Sequence, residues 1–279
     1  MPSDVVYSPA SPLASPGTFI GEAARSLRPV PGAAWRMARR NLAARYRQSW
    51  LGYLWLVLPA AAMTALWVSL NRAGVISDND TDVPYALFVV TGVVLWQLFA
   101  EVLDAPLSRL AESRAVLKWT RLPHETWILA GLLEVLFGAV MRLLVVMPVL
   151  IWTGVVPGWQ LALLPLGLLA LVALGAALGL AAAPLGLLYG DVGRGVALVT
   201  GLWFFLTPVI YSPPNTGAAE VLVRLNPVTP VLTTTRDWLT SGHDGFPAGF
   251  ALVTAGATAL LVVAWLIYRV AQPHVVARL

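Results

Sequence analysis

Cysteine is absent from the sequence, which excludes disulfide bonds and thiolate metal ligands. Charged side chains are scarce as well: they make up 11% of the residues, whereas soluble domains carry about 25%. Hydrophobic residues account for 58% of the 279 positions. This balance excludes an ordinary soluble domain and predicts an all-α integral membrane protein whose apolar segments cross the bilayer several times.

The sequence also lacks the motifs of nucleotide and metal chemistry. A phosphate-binding loop needs a lysine after glycine, but the single lysine, Lys118, follows Leu117. The three histidines, His124, His243 and His274, fall in different predicted loops, so there is no paired-histidine zinc motif. We therefore predict no catalytic residue, no metal and no cofactor in this chain, so any ATP-driven work would need a partner subunit that binds ATP and Mg²⁺.

The basic residues do not indicate a nucleic-acid partner. The formal net charge is +4, but the arginines stand beside apolar runs, where topology and anionic lipid headgroups account for them. We expect membrane lipids as partners and no nucleic acid. No apolar run begins within residues 1–31, so we expect no cleavable signal peptide, and the first span would serve as the targeting signal.

The N-terminal region has two predicted parts. Residues 1–31 contain six prolines and scattered serines, which predicts a flexible cytoplasmic tail. Residues 32–50 predict an amphipathic helix with arginines on its polar face. Its apolar face is formed by Trp35, Ala38, Leu42 and Tyr46. Such a helix lies in the membrane interface or docks on protein, and the span that follows directly favours the interface.

Six apolar segments follow within residues 51–270, and we predict that each forms a transmembrane helix. They run from about Gly52 to Asn71, Tyr85 to Asp104, Trp127 to Trp152, Gln160 to Leu188, Gly193 to Tyr211 and Pro247 to Arg269.

Basic residues indicate the orientation, because cytoplasmic loops are enriched in them. With a cytoplasmic N-terminus, fourteen basic residues fall inside and three fall outside, namely Arg72, Arg224 and Arg236, while Arg142 lies within a span. We therefore predict that both termini are cytoplasmic, the C-terminal one comprising residues 271–279.

The predicted cytoplasmic loop 105–126 is a candidate for partner contact. Leu107, Leu110, Arg114 and Leu117 share one helical face in it. A short helix presented to the cytoplasm either passes force from a soluble partner or only joins two spans, and the loop alone leaves both open.

The predicted outside loop 212–246 is too long and too apolar for a plain connector. It predicts two short helices, Gly217 to Leu225 and Val228 to Leu239, broken at Asn226 and Pro227. Each is too short to span the bilayer. We interpret them as re-entrant helices that form an outer gate, or otherwise as a small extracellular cap.

Ionisable residues inside predicted spans are functional candidates, because buried charge is costly. They are Glu101, Asp104, Glu134 and Arg142. Glu134 and Arg142 are about 12 Å apart by helix rise, so each needs another partner or water. We interpret them as paired with residues of other helices for structural reasons, or as the lining of a polar pathway.

Five aromatic residues are candidates for stacking on sugar rings, or otherwise for packing within the helix bundle: Trp67, Trp96, Trp203, Phe204 and Phe205.

Five short motifs occur in an order that is similar to one known family. They are RYRQSWLGYLW at 45–55, LKWTRLP at 117–123, YGD at 189–191, FFLTPVIY at 204–211 and LNP at 225–227. With the predicted topology, they make residues 35–270 resemble the permease subunits of type-2 ABC exporters, in the branch that exports O-antigen, capsular polysaccharide and teichoic acid. The chain departs from the family pattern at Leu122, Gly190 and Thr207, where the family has an aromatic residue, arginine and serine.

The resemblance implies a homodimer bound to two ABC ATPase subunits in the bacterial inner membrane, exporting a lipid-linked polysaccharide between the two copies. A gate helix at the substrate entrance would include Trp35, Arg39, Arg40, Arg45, Tyr46, Arg47 and Trp50. Coupling to the ATPase would involve Arg109, Arg114, Lys118, Arg121 and Glu125. The translocation path would be lined by Tyr53, Trp67, Trp96, Trp203, Phe204, Phe205, Tyr211, Glu134 and Arg142. The outer gate would contain Pro208, Pro213, Asn226 and Pro227.

Three alternatives remain at this point. A type-2 ABC exporter of a lipid or drug fits the same topology. An ion-coupled secondary carrier would depend on Glu134 or Arg142 and would need no ATPase. A membrane glycosyltransferase would need an acidic cluster in an aqueous loop, and Asp78, Asp80 and Asp82 form the one such cluster, in a short loop.

Overall fold

The computed structural model describes residues 21, 25, 27–47, 49–75, 81–113, 123–214, 216–240 and 248–276, and in these ranges the chain is helical and contains no strand. The helices are α1 (Val30–Arg47), α2 (Leu58–Arg72), α3 (Tyr85–Glu112), α4 (Glu125–Thr153), α5 (Leu164–Leu188), α6 (Asp191–Leu206), α7 (Gly217–Leu225), α8 (Val228–Leu239) and α9 (Ala248–Val276). Short 3₁₀ segments, Gly52–Leu56 and Trp159–Leu163, precede α2 and α5. The all-α prediction is confirmed.

Helix α3 is the centre of the bundle. Helices α2, α4, α5, α6 and α8 pack around it. Its side chains are apolar on nearly every side and are buried along most of its length, from Leu87 to Leu110. A helix that is apolar all round is stable only inside a bundle, so this pattern explains its central position.

Glycines let α5 approach α3 closely. A Cβ atom added to Gly179 would lie 2.2 Å from the carbonyl oxygen of Leu103, and one added to Gly175 would lie 2.9 Å from that of Phe99. The two glycines are four residues apart and face the same neighbour, which is the small-residue packing typical of membrane helices. Backbone-to-backbone contact therefore joins the two best-packed helices of the fold.

Four of the six predicted spans coincide with helices that are long and apolar enough to cross a membrane, namely α3, α4, α9 and the segment Trp159–Leu188 that contains α5. The other two predicted spans contain α2, of 15 residues, and α6, of 16 residues. At about 1.5 Å per residue, each is shorter than a hydrocarbon core of about 30 Å. For these two segments, spanning stays a prediction.

Helix α3 extends into the first part of the predicted loop 105–126. Helix α3 does not end at Asp104 but continues through Pro106 to Glu112. It continues because Ala105, Leu107 and Leu110 are buried, with Leu110 in a cluster that includes Leu187 and Tyr268. Residues 114–122 of the predicted loop lie outside the described residues.

Helix α1 docks on α4 through small residues. Ala34 and Ala38 are buried against Ala130, whereas Trp35 is 60% exposed. The predicted apolar face is therefore divided, because the alanines contact protein while the tryptophan points away from it. Both interpretations of this helix retain support, since one face docks on the bundle and another presents an aromatic residue among arginines.

The two short helices before α9 have the predicted bounds. Helix α7 covers Gly217–Leu225 and α8 covers Val228–Leu239, with Asn226 and Pro227 between them. Proline cannot continue a helix from the preceding turn without losing a backbone hydrogen bond, which explains the break. Their re-entry into a membrane stays a prediction.

Candidate functional site

A charged cleft of about 480 Å³ opens between α1, α3, α4 and α6. It lies near the end of the bundle where α3 finishes and α4 begins, which we call the basic end. Seven ionisable residues other than tyrosine line the charged cleft: Arg45, Glu101, Asp104, Arg109, Glu112, Glu134 and Arg142. Leu42 and Tyr46 of α1 and Thr200 of α6 complete part of its wall. Residues from separate predicted regions thus meet in one space.

Glu134 of α4 is the point where three helices meet. Its carboxylate accepts hydrogen bonds from Asn41 Nδ2 of α1 at 2.9 Å and from Arg109 Nη2 of α3 at 2.5 Å. Arg45 Nη2 of α1 lies 3.7 Å from the same carboxylate. The Glu134 side chain is 3% exposed, so these partners compensate a charge that water hardly reaches.

Arg142 forms a second buried group two turns along the same helix. It donates from Nε to the Gly138 carbonyl at 3.2 Å, from Nη1 to Gln97 Oε1 at 3.3 Å, and from Nη2 to the Glu101 carboxylate. Arg142 and Glu134 therefore have separate partners on other helices, as their spacing required. Helix α3 supplies the anion Glu101 to the pair with Arg142 and the cation Arg109 to the pair with Glu134. Two ion pairs of opposite polarity therefore join α3 to α4.

Glycines on α4 make room for both arginines. A Cβ atom at Gly131 would lie 2.6 Å from Cγ of Arg109, and one at Gly138 would lie 2.9 Å from Nη2 of Arg142. Gly131, Glu134, Gly138 and Arg142 follow one another at spacings of three and four, so they form one stripe of α4. This stripe is a sequence signal that the two charges alone did not reveal and that could have indicated the site.

The predicted gate-helix residues divide between the charged cleft and the surface. Arg45 and Tyr46 line the cleft, and the Tyr46 ring lies 4.9 Å from that of Tyr53, which is 5.7 Å from Phe137. The remaining predicted residues are exposed and do not line it: Trp35, Arg39, Arg40, Arg47 and Trp50.

Two of the predicted coupling residues turn inward at the basic end. Arg109 binds Glu134, and Glu125 Oε1 accepts a hydrogen bond from Arg269 Nε of α9 at 2.6 Å. This carboxylate is buried in the bundle, and its predicted contact with the ATPase stays a prediction. Arg114, Lys118 and Arg121 lie outside the described residues.

His124 precedes α4 beside this pair. Its Nδ1 atom lies 3.1 Å from the Tyr268 hydroxyl. Burial lowers the pKa of His124 below its ordinary value of 6.5, and the charge of Glu125 offsets part of that decrease. The contact of His124 with Tyr268, next to the Glu125–Arg269 pair, ties the start of α4 to the end of α9.

Asn226 joins the predicted outer-gate motifs at the opposite end of the bundle. Its Oδ1 accepts hydrogen bonds from Trp203 Nε1 and from the backbone N–H of Val228, both at 3.0 Å. Its Nδ2 donates to Thr207 Oγ1 at 2.8 Å. One amide thus connects α6, the segment after it and the start of α8, which explains why the two motifs occur together. Pro227 precedes α8 in this turn, and Pro213 is exposed.

Arg236 of α8 was missed as a site residue. It is 3% exposed, and its Nη2 donates to the carbonyl oxygens of Pro208 and Val209, each at 2.9 Å. Its guanidinium carbon lies 3.8 Å from the centre of the Phe88 ring. The count of basic residues used for the orientation placed Arg236 in an outside loop. Its spacing of four and eight residues from Leu232 and Val228 puts it on the apolar face of the predicted helix, and this spacing could have indicated its burial.

The aromatic path candidates do not share one open surface in this conformation. Trp96 and Phe204 are buried and pack edge-to-face with ring centres 5.8 Å apart, so they belong to the bundle core. Phe205 is 60% exposed. Trp67 and Tyr211 are partly buried and pack against the core, and the Tyr211 hydroxyl donates to the Phe205 carbonyl.

Comparison with known proteins agrees with this arrangement. The family model described as ABC-2 type transporter matches residues 33–239. A protein of Myxococcus xanthus named O-antigen export system permease protein RfbA is 28% identical over 213 residues, which cover 75% of this chain and 80% of the relative. A protein of the same name from Klebsiella pneumoniae is 23% identical over 212 residues, covering 74% and 79%.

These matches confirm the predicted type-2 ABC permease resemblance and its polysaccharide-export relatives. They favour this class over the ion-coupled carrier and the glycosyltransferase. With its long apolar helices, the chain is a multi-pass protein of the bacterial inner membrane, and its family is one of transport permease subunits. The chain belongs to the ABC-2 type transporter family.

Proposed function

We propose that the chain is the channel-forming permease of an ATP-driven exporter that moves a lipid-linked polysaccharide out of the cytoplasm. The observation that carries the proposal is the charged cleft, where arginines of α1, α3 and α4 converge beside α1, which carries the exposed Trp35 and is followed by the exposed Trp50. A phosphate-linked lipid needs cations for its headgroup and an apolar side for its chain, and arginine is well suited to phosphate. The names of the relatives support the glycan as cargo.

In this proposal both termini are cytoplasmic, so the basic end faces the cytoplasm and the Asn226 turn faces outward. The arginine-rich α1 then lies at the inner interface, where anionic lipids attract it. The carrier headgroup reaches the charged cleft from that side, and α7 and α8 form the outer gate. ATP and Mg²⁺ are bound by two ATPase subunits, which contact the segment between α3 and α4.

A second copy of the chain completes the conduit. Helices α2 and α6 pack loosely on the rest of the bundle. On α6, Leu198, Leu202 and Phe205 are each at least 60% exposed. Such apolar faces suit lipid or another membrane helix, and a homodimer that meets along α2 and α6 would enclose a path between two copies. An exporter of a lipid or drug would share this geometry. Transport of a lipid-linked polysaccharide by the purified complex distinguishes a polysaccharide exporter from a lipid or drug exporter.

Replacing Arg45 by glutamine is expected to reduce polysaccharide export by roughly tenfold, because a charge-assisted hydrogen bond to phosphate contributes about 1.5–3 kcal/mol. Arg47→Gln is the matched control: it removes the same charge from the same helix, but Arg47 is exposed and does not line the charged cleft. Surface glycan is measured in cells that carry the chain, its ATPase and the glycan genes, with membrane insertion and ATPase binding checked in parallel. Equal export by both variants would show that these arginines serve topology alone.

A further inference from the structure

Glu134 occupies the position in the charged cleft that an anionic ligand would take. Its carboxylate is bound by Arg109 at 2.5 Å and lies 3.7 Å from Arg45, so two arginines from two helices already hold an anion between them. The third partner, Asn41, comes from α1. Of these four residues, Asn41 and Arg45 belong to the helix that covers the cleft.

The arginines are more accessible than the carboxylate they hold. The side chain of Arg45 is 51% exposed and that of Arg109 is 16% exposed, whereas that of Glu134 is 3% exposed. A ligand in the charged cleft therefore reaches the guanidinium groups from the open side while Glu134 remains behind them. A phosphoryl group carries more charge and more acceptor oxygens than a carboxylate, so it competes well for the same cations.

Apolar and polar contacts together hold α1 on the bundle in the described part of the chain. Val30, Ala34 and Ala38 are buried, and Met37 is partly buried beside them, but alanine buries little apolar area per side chain. The polar contacts of Asn41 and Arg45 with Glu134 add to this docking. Removing the arginine charge from Glu134 would loosen the helix as a unit.

We propose that Glu134 is an internal mimic of the substrate phosphate and that it latches α1 until a phosphoryl-bearing lipid draws Arg45 away from it. Substrate binding is thereby converted into release of α1 from α4, while Arg109 keeps its pairs with Glu134 and Glu112. This regulation rests on the proposed function, because it assigns the headgroup that opens the cleft.

The latch is measured as the distance between two spin labels. The chain has no native cysteine, so cysteines placed at exposed Ala43 of α1 and exposed Ala111 of α3 are the only labelling sites. The full chain, with any subunit that co-purifies, is studied in lipid nanodiscs by pulsed electron spin resonance. We expect one distance without ligand and a second, longer distance when farnesyl diphosphate is added. Farnesol and inorganic diphosphate are the comparison probes, and they separate lipid-borne phosphate from the lipid and from free anion.

The variant arm uses charge neutralisation. Glu134→Gln is expected to give the longer distance without ligand, whereas Glu101→Gln, which also removes one cleft carboxylate but has no α1 partner, keeps the original distance. A Glu134→Gln protein with the wild-type distance would overturn the latch. If farnesyl diphosphate changes nothing in the protein with Glu134 intact, phosphate displacement is overturned, and this arm needs no folded variant.

The outcome is independent of the glycan. Farnesyl diphosphate carries no sugar, so a chain that releases α1 with it but exports no polysaccharide would contradict the proposed cargo and not the latch. Export of polysaccharide with an unmoved α1 would contradict the latch and leave the cargo intact.

Discussion

Replacing Arg236 by alanine is expected to destabilise the outer part of the bundle by roughly 3–5 kcal/mol. The arginine is 3% exposed and donates to the Pro208 and Val209 carbonyls, and each such charge-assisted bond contributes about 1.5–3 kcal/mol. Its guanidinium group also lies over the Phe88 ring, a cation–π contact that favours the charged side chain at this position. The truncation leaves two buried carbonyls without this donor and opens a cavity. The unfolding temperature in detergent should fall by on the order of 10 °C.

Arg224→Ala is the control for this prediction. Arg224 lies in the neighbouring helix α7, its side chain is 79% exposed, and it pairs with Glu220 at 2.7 Å one turn away. Exposed pairs of this kind contribute about 0–1 kcal/mol, so this variant should unfold close to the wild-type temperature. Similar behaviour of the two variants would mean that Arg236 does not hold the segment after α6.

Replacing Gly179 by alanine is expected to destabilise the contact between α3 and α5 by about 1–3 kcal/mol or more. The new Cβ would lie 2.2 Å from the Leu103 carbonyl oxygen and 3.0 Å from its carbon. Both are backbone atoms of a helix and cannot rotate away, so the two helices must separate. Thermal unfolding and the yield of folded protein from membranes measure the effect.

The sign of this result is informative because alanine favours a helix over glycine by about 1 kcal/mol. Gly256 in α9 is the matched control, since a Cβ there has no atom within 4 Å. Gly256→Ala should therefore be neutral or slightly stabilising, while Gly179→Ala is destabilising. If both substitutions stabilise the protein, the close approach of α3 and α5 is absent from the membrane-embedded state.

The ends of a helix could be predicted from the sequence where a proline or the end of an apolar run marks them. The break between α7 and α8 follows from Pro227, and the long apolar runs predict both ends of α4 and α5 and the starts of α3 and α9 to within a few residues. The end of α3 was not accessible, because its extension past Asp104 depends on burial of Leu107 and Leu110 against other helices.

The charged cleft was predictable only in part. Helical spacing placed Glu134 and Arg142 on one side of α4 and required partners for both, but spacing within one helix says nothing about the neighbouring helix. Arg109 and Asn41 were therefore not identified as partners of Glu134. Arg236 was interpreted as a loop cation, because the amphipathic pattern of α8 does not show that its inward face meets the carbonyls after α6.

Transport by the purified complex tests the central claim most directly. The chain is purified from its native membranes with any subunit that binds it, and it is reconstituted into liposomes with a lipid-linked polysaccharide. The account predicts that the ATPase co-purifies and that ATP moves the glycan across the bilayer, where an added glycosidase reaches it. Absence of a bound ATPase, or a glycan that stays protected with ATP present, would contradict the account.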